Sequence, residues 1–408
     1  MCAAGNCVAA DAGVQGVLEP TWHEVIFPII QQRCWGGGAC HVRPLQPGIP
    51  MALEEFVDTQ QPSRQGNLVF EEMAARVQNL SLPMPPRGQS QLDSVQIRFF
   101  TRWAELGAPI GDPNKAPDAG VNNGTLDAGV TNTGPLALAG PATEISTGFF
   151  DLNGPAWGNS NNTLVMTDRA QDTIFFSNPP APAQILLRPA NEAVGLGADA
   201  AGNLVMTQYA SRQVARVQGI TVTPLSQDYM GSRYNSPHDI VGRADGNIYF
   251  TDPPFGLGIR PRELTYNGIF RLPADGSAAV VEWQGAPGTG PAGIEFSPDE
   301  STLYVTDRPG GLIRRFAVGL DGSLSQETLF SATYPAPDGI VVDTQGNVYV
   351  ATEFGVQAFS PQAVEYGVLV LPEPATGLTF GGVDLRTLYV TTRTTLYSFS
   401  MPTPGVSR

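Results

Sequence analysis

Lysine is almost missing from this chain. Of its 23 basic residues only Lys115 is a lysine, and 38 acidic residues leave a net charge of −15. With no basic run anywhere, the electrostatic footprint of a nucleic-acid binder is excluded. Charge of either sign is scarce, at 15% of residues, against about a quarter in an ordinary globular domain. That scarcity excludes a coiled coil or a helical solenoid. No apolar run reaches the ~18 residues of a membrane-spanning helix. Cysteine is confined to Cys2, Cys7, Cys34 and Cys40, so the remainder of the chain folds without disulfides.

Glycine and proline are abundant instead, 46 and 36 in 408 residues, as expected for many short strands joined by tight turns. The length suffices for two or three domains, each with its own core. Residues 1–19 read as a flexible tether. The start, Met1-Cys2, has two readings. Cys2 is either the acylated first residue of a lipoprotein whose signal peptide has been trimmed, or an ordinary residue near a chain start. Residues 20–110 read as helical. Val25/Ile29 and Ile26/Ile30 are i,i+4 pairs, and Ser90-Gln-Leu-Asp93 opens a run with Val95, Phe99, Trp103 and Leu106 near one face. Residues 111–142, with two Asp-Ala-Gly-Val copies among Pro, Asn, Thr and Gly, read as a linker.

Residues 143–404 carry an internal repeat. A five-residue strand recurs as Leu164–Asp168, Leu204–Gln208, Ile248–Asp252, Leu303–Asp307, Val348–Thr352 and Leu388–Thr392, spaced 40, 44, 55, 45 and 40 residues apart. Each copy follows a polar turn such as Asp245-Gly-Asn247, and each turn follows another short apolar strand. Such a unit cannot bury both its faces alone, whereas six arranged radially can. The chain is therefore expected to be mainly β, a six-bladed β-propeller behind a small α-helical N-terminal domain. One residue of each unit precedes the Gly, once Asp, that opens the inner strand: Asn153, Val194, His238, Ala292, Asp338 and Thr376. Equivalent positions sit at equivalent heights, so this ring is expected to face the central channel, the default place for a ligand. Arg233 and Gln208 are further candidates for substrate contact at the channel mouth.

The stretches Asn153-Gly-Pro-Ala-Trp157, Asn235-Ser-Pro-His-Asp239, Thr251-Asp-Pro-Pro-Phe-Gly256, Phe296-Ser-Pro-Asp299 and Pro337-Asp-Gly339 resemble the SMP-30/gluconolactonase family, also called regucalcin-like. The resemblance implies a six-bladed propeller with one divalent cation, often Ca²⁺, in its channel. It also implies hydrolysis of lactones or related esters, in which the cation polarises the carbonyl and a carboxylate activates water. Carried over position by position, the family's metal ligands are an acid where this chain has Asn153, Asn where it has His238 and Ala292, and Asp at Asp338. The second-unit Asn common in the family is Val194. Only Asp338 is kept, and it is the expected general base as well as a metal ligand, with His238 and Asn153 beside it. A calcium ion wants six or more oxygens, whereas an imidazole favours Zn²⁺ or another transition metal.

Cys34-Trp-Gly-Gly-Gly-Ala-Cys40-His41, followed by Leu82-Pro-Met-Pro-Pro86, resembles the cytochrome c-like domains of bacterial envelope proteins. That resemblance implies c-type haem on Cys34 and Cys40, with His41 and Met84 as axial ligands. The spacing departs from C-x-x-C-H, and a Cys34–Cys40 disulfide is the preferred alternative. Either reading places the chain in the cell envelope or outside the cell, with membrane contact only through an N-terminal lipid. Three functions follow as expectations: metal-assisted hydrolysis of a lactone or ester, non-catalytic binding of a sugar or peptide, and haem electron transfer.

Overall fold

The structure, a computed structural model, describes residues 132–407 except 159–160, with Ile26, Thr59, Gln60, 68–71, Met73, Phe100, Thr101, Trp103 and Ala104 from the N-terminal region. In that region Phe70 packs edge-on to the buried Trp103 at 6.0 Å between ring centroids. The tether and the cysteine-bearing segment lie outside the described residues.

Among the described residues the recurring five-residue runs are the second strands of six four-stranded antiparallel sheets. They are rich in β-branched and aromatic residues, which fit a pleated surface packed on both faces; Val348–Thr352 is buried at every position. Each second strand pairs with an inner strand nearest the axis. The inner strands are Leu152–Gly158, Ala193–Ala198, Ile240–Gly242, Pro291–Phe296, Ile340–Val342 and Ala375–Gly381, in blades 1 to 6. The polar turns between these strands are held by their own side chains. Asp245 Oδ1 accepts the Asn247 N–H at 3.0 Å around Gly246, whose φ of +92° suits a residue without Cβ. Asp199 and Asp343 accept from Asn203 and Asn347 in the same way.

Blade 6 closes the ring. Its outermost strand, Thr143–Thr147, pairs antiparallel with Thr395–Ser400, joining the two ends of the repeat region. Closure leaves no long edge open. The expected linker ends earlier than the sequence suggests. A short 3₁₀ turn at Gly134–Leu138 buries Leu136 in the cluster of blades 5 and 6, and Asn132 exchanges hydrogen bonds with Val368. Residues 132–142 therefore belong to the propeller, because Leu136 finds an apolar seat there.

One device sets the height of the axial ring. The threonine one residue before the end of a second strand reaches across to the next blade's ring residue. Thr167 donates to the Val194 carbonyl at 2.8 Å, Thr207 to His238 at 2.7 Å, Thr251 to Ala292 at 2.6 Å and Thr306 to Asp338 at 2.8 Å. In blade 5 the position is Ala351, and Gly339 N–H donates to the Thr376 carbonyl instead. Neighbouring inner strands approach so closely here that a Cβ on Gly293 would lie 2.3 Å from the Asp338 carbonyl oxygen. The glycine that follows five of the six ring residues is thus a packing requirement, and only His238 is followed by another residue, Asp239.

Candidate active site at the propeller axis

Of the six ring residues Asn153, His238 and Asp338 line the axial cavity, Ala292 on blade 4 is fully buried, and the other five side chains divide into two groups. On blades 1, 2 and 6 the polar atoms serve the backbone. Asn153 Oδ1 accepts the Gly154 N–H at 2.7 Å, Thr376 Oγ1 donates to the Leu152 carbonyl at 2.7 Å, and Val194 has nothing to offer. On blades 3 and 5 the side chains meet. His238 Nε2 stands 2.8 Å from Asp338 Oδ1, and the two residues are 4% and 3% exposed. A carboxylate only accepts, so Nε2 carries the proton, and in the neutral ring Nδ1 is left to accept. Its partner is the Tyr209 hydroxyl at 2.5 Å. Burial, with Asp338 adding to it, holds that phenol above its usual range, so it keeps its proton.

The other Asp338 oxygen, Oδ2, accepts from Arg308 Nη1 at 2.9 Å. The Arg308 side chain is 42% exposed and carries no other hydrogen-bond partner among the described residues. Its guanidinium lies over Phe255 at 5.8 Å, and Phe255 presents its ring edge-on to His238 at 5.4 Å. Asp239, next to His238, is turned inward, with Oδ2 accepting the Ile294 N–H at 3.1 Å; burial pushes its carboxyl up to about 7. From this end a cavity of about 500 Å³ runs down the channel. It is lined by Asn153, His238, Asp239 and Asp338 at one end and by Gly242, Val342 and Phe380 further along.

Tyr209 and Arg308 were not legible as site residues, although the repeat holds the signal. Each is the first residue after a second strand, in blades 2 and 4. That strand runs antiparallel to the inner one, so its exit lies beside the inner strand's start. Two expected contacts are corrected. Gln208 is fully buried, donating to the Ala190 carbonyl at 2.8 Å and accepting from Ser211 and Gln213. Arg233 donates to the Ser211 carbonyl, and its backbone N–H donates to Glu263 at 2.7 Å. Neither lines the cavity, nor do Tyr209 and Arg308, which meet the His238–Asp338 pair from outside it; Gln208 braces the end of blade 2 internally, and Arg233 ties the loop before blade 3 to the blade 2 turn at Ser211.

The donor set does not fit a divalent cation. Calcium wants six or more oxygens and gains from carboxylate charge. Here Ala292 and Val194 supply none, the Asn153 oxygen is engaged, and both Asp338 oxygens are held by N–H donors, one of them a full positive charge. His238 and Asp338 bond to each other. Among the described residues no three His, Cys, Asp or Glu side chains stand together. Cys34, Cys40, His41 and Met84, the expected haem residues, lie outside the described residues, as does Cys2.

The fold and the site together define a six-bladed propeller of lactonase type, with an imidazole–carboxylate–guanidinium cluster at one end of its axis. Residues 153–394 match the SMP-30/Gluconolactonase/LRE-like region, and the chain belongs to that family. A gluconolactonase of Zymomonas mobilis is 28% identical over 282 residues, 60% of this chain and 78% of that protein. A pentonolactonase of Haloferax volcanii is 30% identical over 169 residues, 40% of this chain and 53% of that protein. The solved structure of a gluconolactonase from Xanthomonas campestris superposes with a TM-score of 0.61 at 31% identity, covering 64% of this chain and 89% of that one.

Proposed function

We propose that the propeller hydrolyses a sugar lactone, with Asp338 as the base that takes a proton from the attacking water. The observation that carries this reading is the Asp338–His238 pair, almost wholly buried yet facing the axial cavity of a chain whose relatives are named lactonases. A lactone reaches the pair at the end of the channel where the Arg308 side chain is exposed to solvent. His238 is pinned between Tyr209 and Asp338 and so holds the carboxylate in one orientation. Water attacks the carbonyl carbon while its proton passes to Asp338. Collapse of the tetrahedral intermediate then breaks the ring C–O bond, and the ring oxygen leaves as a hydroxyl that takes the proton back. The product is an open-chain hydroxy acid. Turnover of a panel of aldonolactones, followed by acid release, tests the reading. Wild type is expected to be active and Asp338→Ala to lose about 10³-fold or more in kcat. Unchanged turnover in that variant would overturn the assignment.

The chain's place in the cell envelope, a lipid on Cys2, and a cytochrome c-like domain over 20–110 are also proposals. They rest on the positions of Cys2, Cys34, Cys40 and His41. A Soret band in protein made with a haem-maturation system would establish haem, and its absence would leave the Cys34–Cys40 disulfide.

A further inference from the structure

We infer that the Arg308 guanidinium stands in for a metal at this site, so that the propeller works without a divalent cation. Asp338 is the one carboxylate of the axial ring, and each of its oxygens already accepts an N–H: His238 Nε2–H on Oδ1 and Arg308 Nη1–H on Oδ2. A divalent ion bound to either oxygen would lie a few ångströms from the Arg308 charge, be repelled by it and compete with it for the carboxylate. The other ring positions offer nothing to offset that repulsion. Asn153 Oδ1 is spent on Gly154 N–H, and Ala292 is a methyl group.

Arg308 is also built to be useful there. It sits at the exit of the second strand of blade 4, and its own backbone is braced, with Arg308 N–H donating to the Gly290 carbonyl at 3.0 Å. Asp307 beside it is tied to Arg314 at 2.6 Å and to Gly290 N–H at 2.9 Å. Phe255 supports the guanidinium plane. One N–H is committed to Asp338, and the remaining donors face the exposed side. A guanidinium is always charged and presents several donors in a rigid fork. That makes it fit to hold a carbonyl oxygen as it becomes an oxyanion, while Asp338 on its other flank takes the proton of water. Charge then balances within the cluster: water adds to the carbonyl carbon, the π pair moves to oxygen against Arg308, and the ring oxygen departs as a hydroxyl.

The inference rests on the hydrolase reading for its chemistry, but its first test does not. Full-length protein is freed of metal with a chelating resin, then titrated with Ca²⁺, Mn²⁺ and Zn²⁺ by calorimetry and thermal unfolding. Wild type is expected to take up no ion at the axis and to keep its unfolding midpoint. A quadruple variant with Asn153→Glu, His238→Asn, Ala292→Asn and Arg308→Ser is expected to gain Ca²⁺ and rise in midpoint by several degrees. Tight binding by wild type that disappears in Asp338→Asn overturns the inference, whether or not the quadruple variant folds. The second test is kinetic. Turnover is expected to be unchanged by EDTA. Arg308→Met should lower kcat about 10²–10³-fold, with Arg308→Lys recovering part of it. Turnover that EDTA abolishes and a cation restores also overturns it. A protein inert toward every lactone, yet blind to all three ions, would sink the hydrolase reading alone and leave the absence of a cation site standing.

Discussion

The two halves of the axial ring share one backbone and use it differently. Asn153, Val194 and Thr376, on blades 1, 2 and 6, spend their polar atoms on neighbouring peptide groups or have none. His238 and Asp338, on blades 3 and 5, with Arg308 from blade 4, gather an imidazole, a carboxylate and a guanidinium within hydrogen-bonding distance. The threonine belt and the close inner strands run through both halves. The repeat thus delivers six side chains to one place, and residue identity alone decides which of them does chemistry. A fold-level likeness positions a site without specifying it.

The comparison can be broken most severely on the charged half. Gly293→Ala places a methyl group 2.3 Å from the Asp338 carbonyl oxygen. Its expected cost is about 3 kcal/mol of stability, read by urea unfolding, together with a displaced Asp338 and lowered turnover. Next comes pH. Burial pushes the carboxyls of Asp239 and Asp252, both on blade 3, up to about 7. The folded chain therefore holds protons that the unfolded chain has released. Their contribution to stability is full below the unfolded value near 4, is lost as pH rises, and levels off above 7. Unfolding at pH 7.5 should need less urea than at pH 5.5, by about 2 kcal/mol for each group. Asp252→Asn should flatten that slope, and an equal slope in the variant would count against the burial argument.

A smaller effect sharpens the role of Tyr209. Tyr209→Phe removes the hydroxyl that fixes His238 Nδ1. Turnover is expected to fall about tenfold through kcat with KM little changed; an equal rise in KM would make Tyr209 a substrate contact instead. Least is expected on the quiet half. Asn153→Ala loses only a bond to the adjacent Gly154 N–H. It should cost under about 1 kcal/mol and leave turnover within about twofold of wild type. A large loss of activity there would erase the distinction between the halves and reopen Asn153 as a ligand.

Much of this was legible before any coordinates. The six second strands fall where the repeated runs stand, since short runs of apolar and β-branched residues after polar turns such as Asp245-Gly-Asn247 leave few other choices. The ring positions were legible too, because a regular repeat forces equivalent residues to equivalent heights. The metal expected from the family resemblance was not met by the donors. The sequence counted the missing ligands at Asn153 and Ala292 but was silent on what replaced them. Gln208 and Arg233 misled for a related reason. A polar residue at a strand end reads as a rim contact, and only the packing shows that Gln208 is consumed within blade 2 and Arg233 in joining blade 2 to the loop before blade 3.

The sequence by itself determined the architecture and the family, because strand periodicity, turn chemistry and spacing are local properties that repeat six times. It also determined that His238 and Asp338 share a ring, although they lie 100 residues apart. Only the tertiary structure decided what that ring does. Arg308 and Tyr209 come from strand exits on two other blades, and nothing local marks them as partners of Asp338 or His238. Their bonds exist because closure of the propeller brings blades 2, 3, 4 and 5 to one axis. Whether a carboxylate binds a metal or a guanidinium depends on which neighbour arrives within about 3 Å, and that distance is set by the packing of the blades.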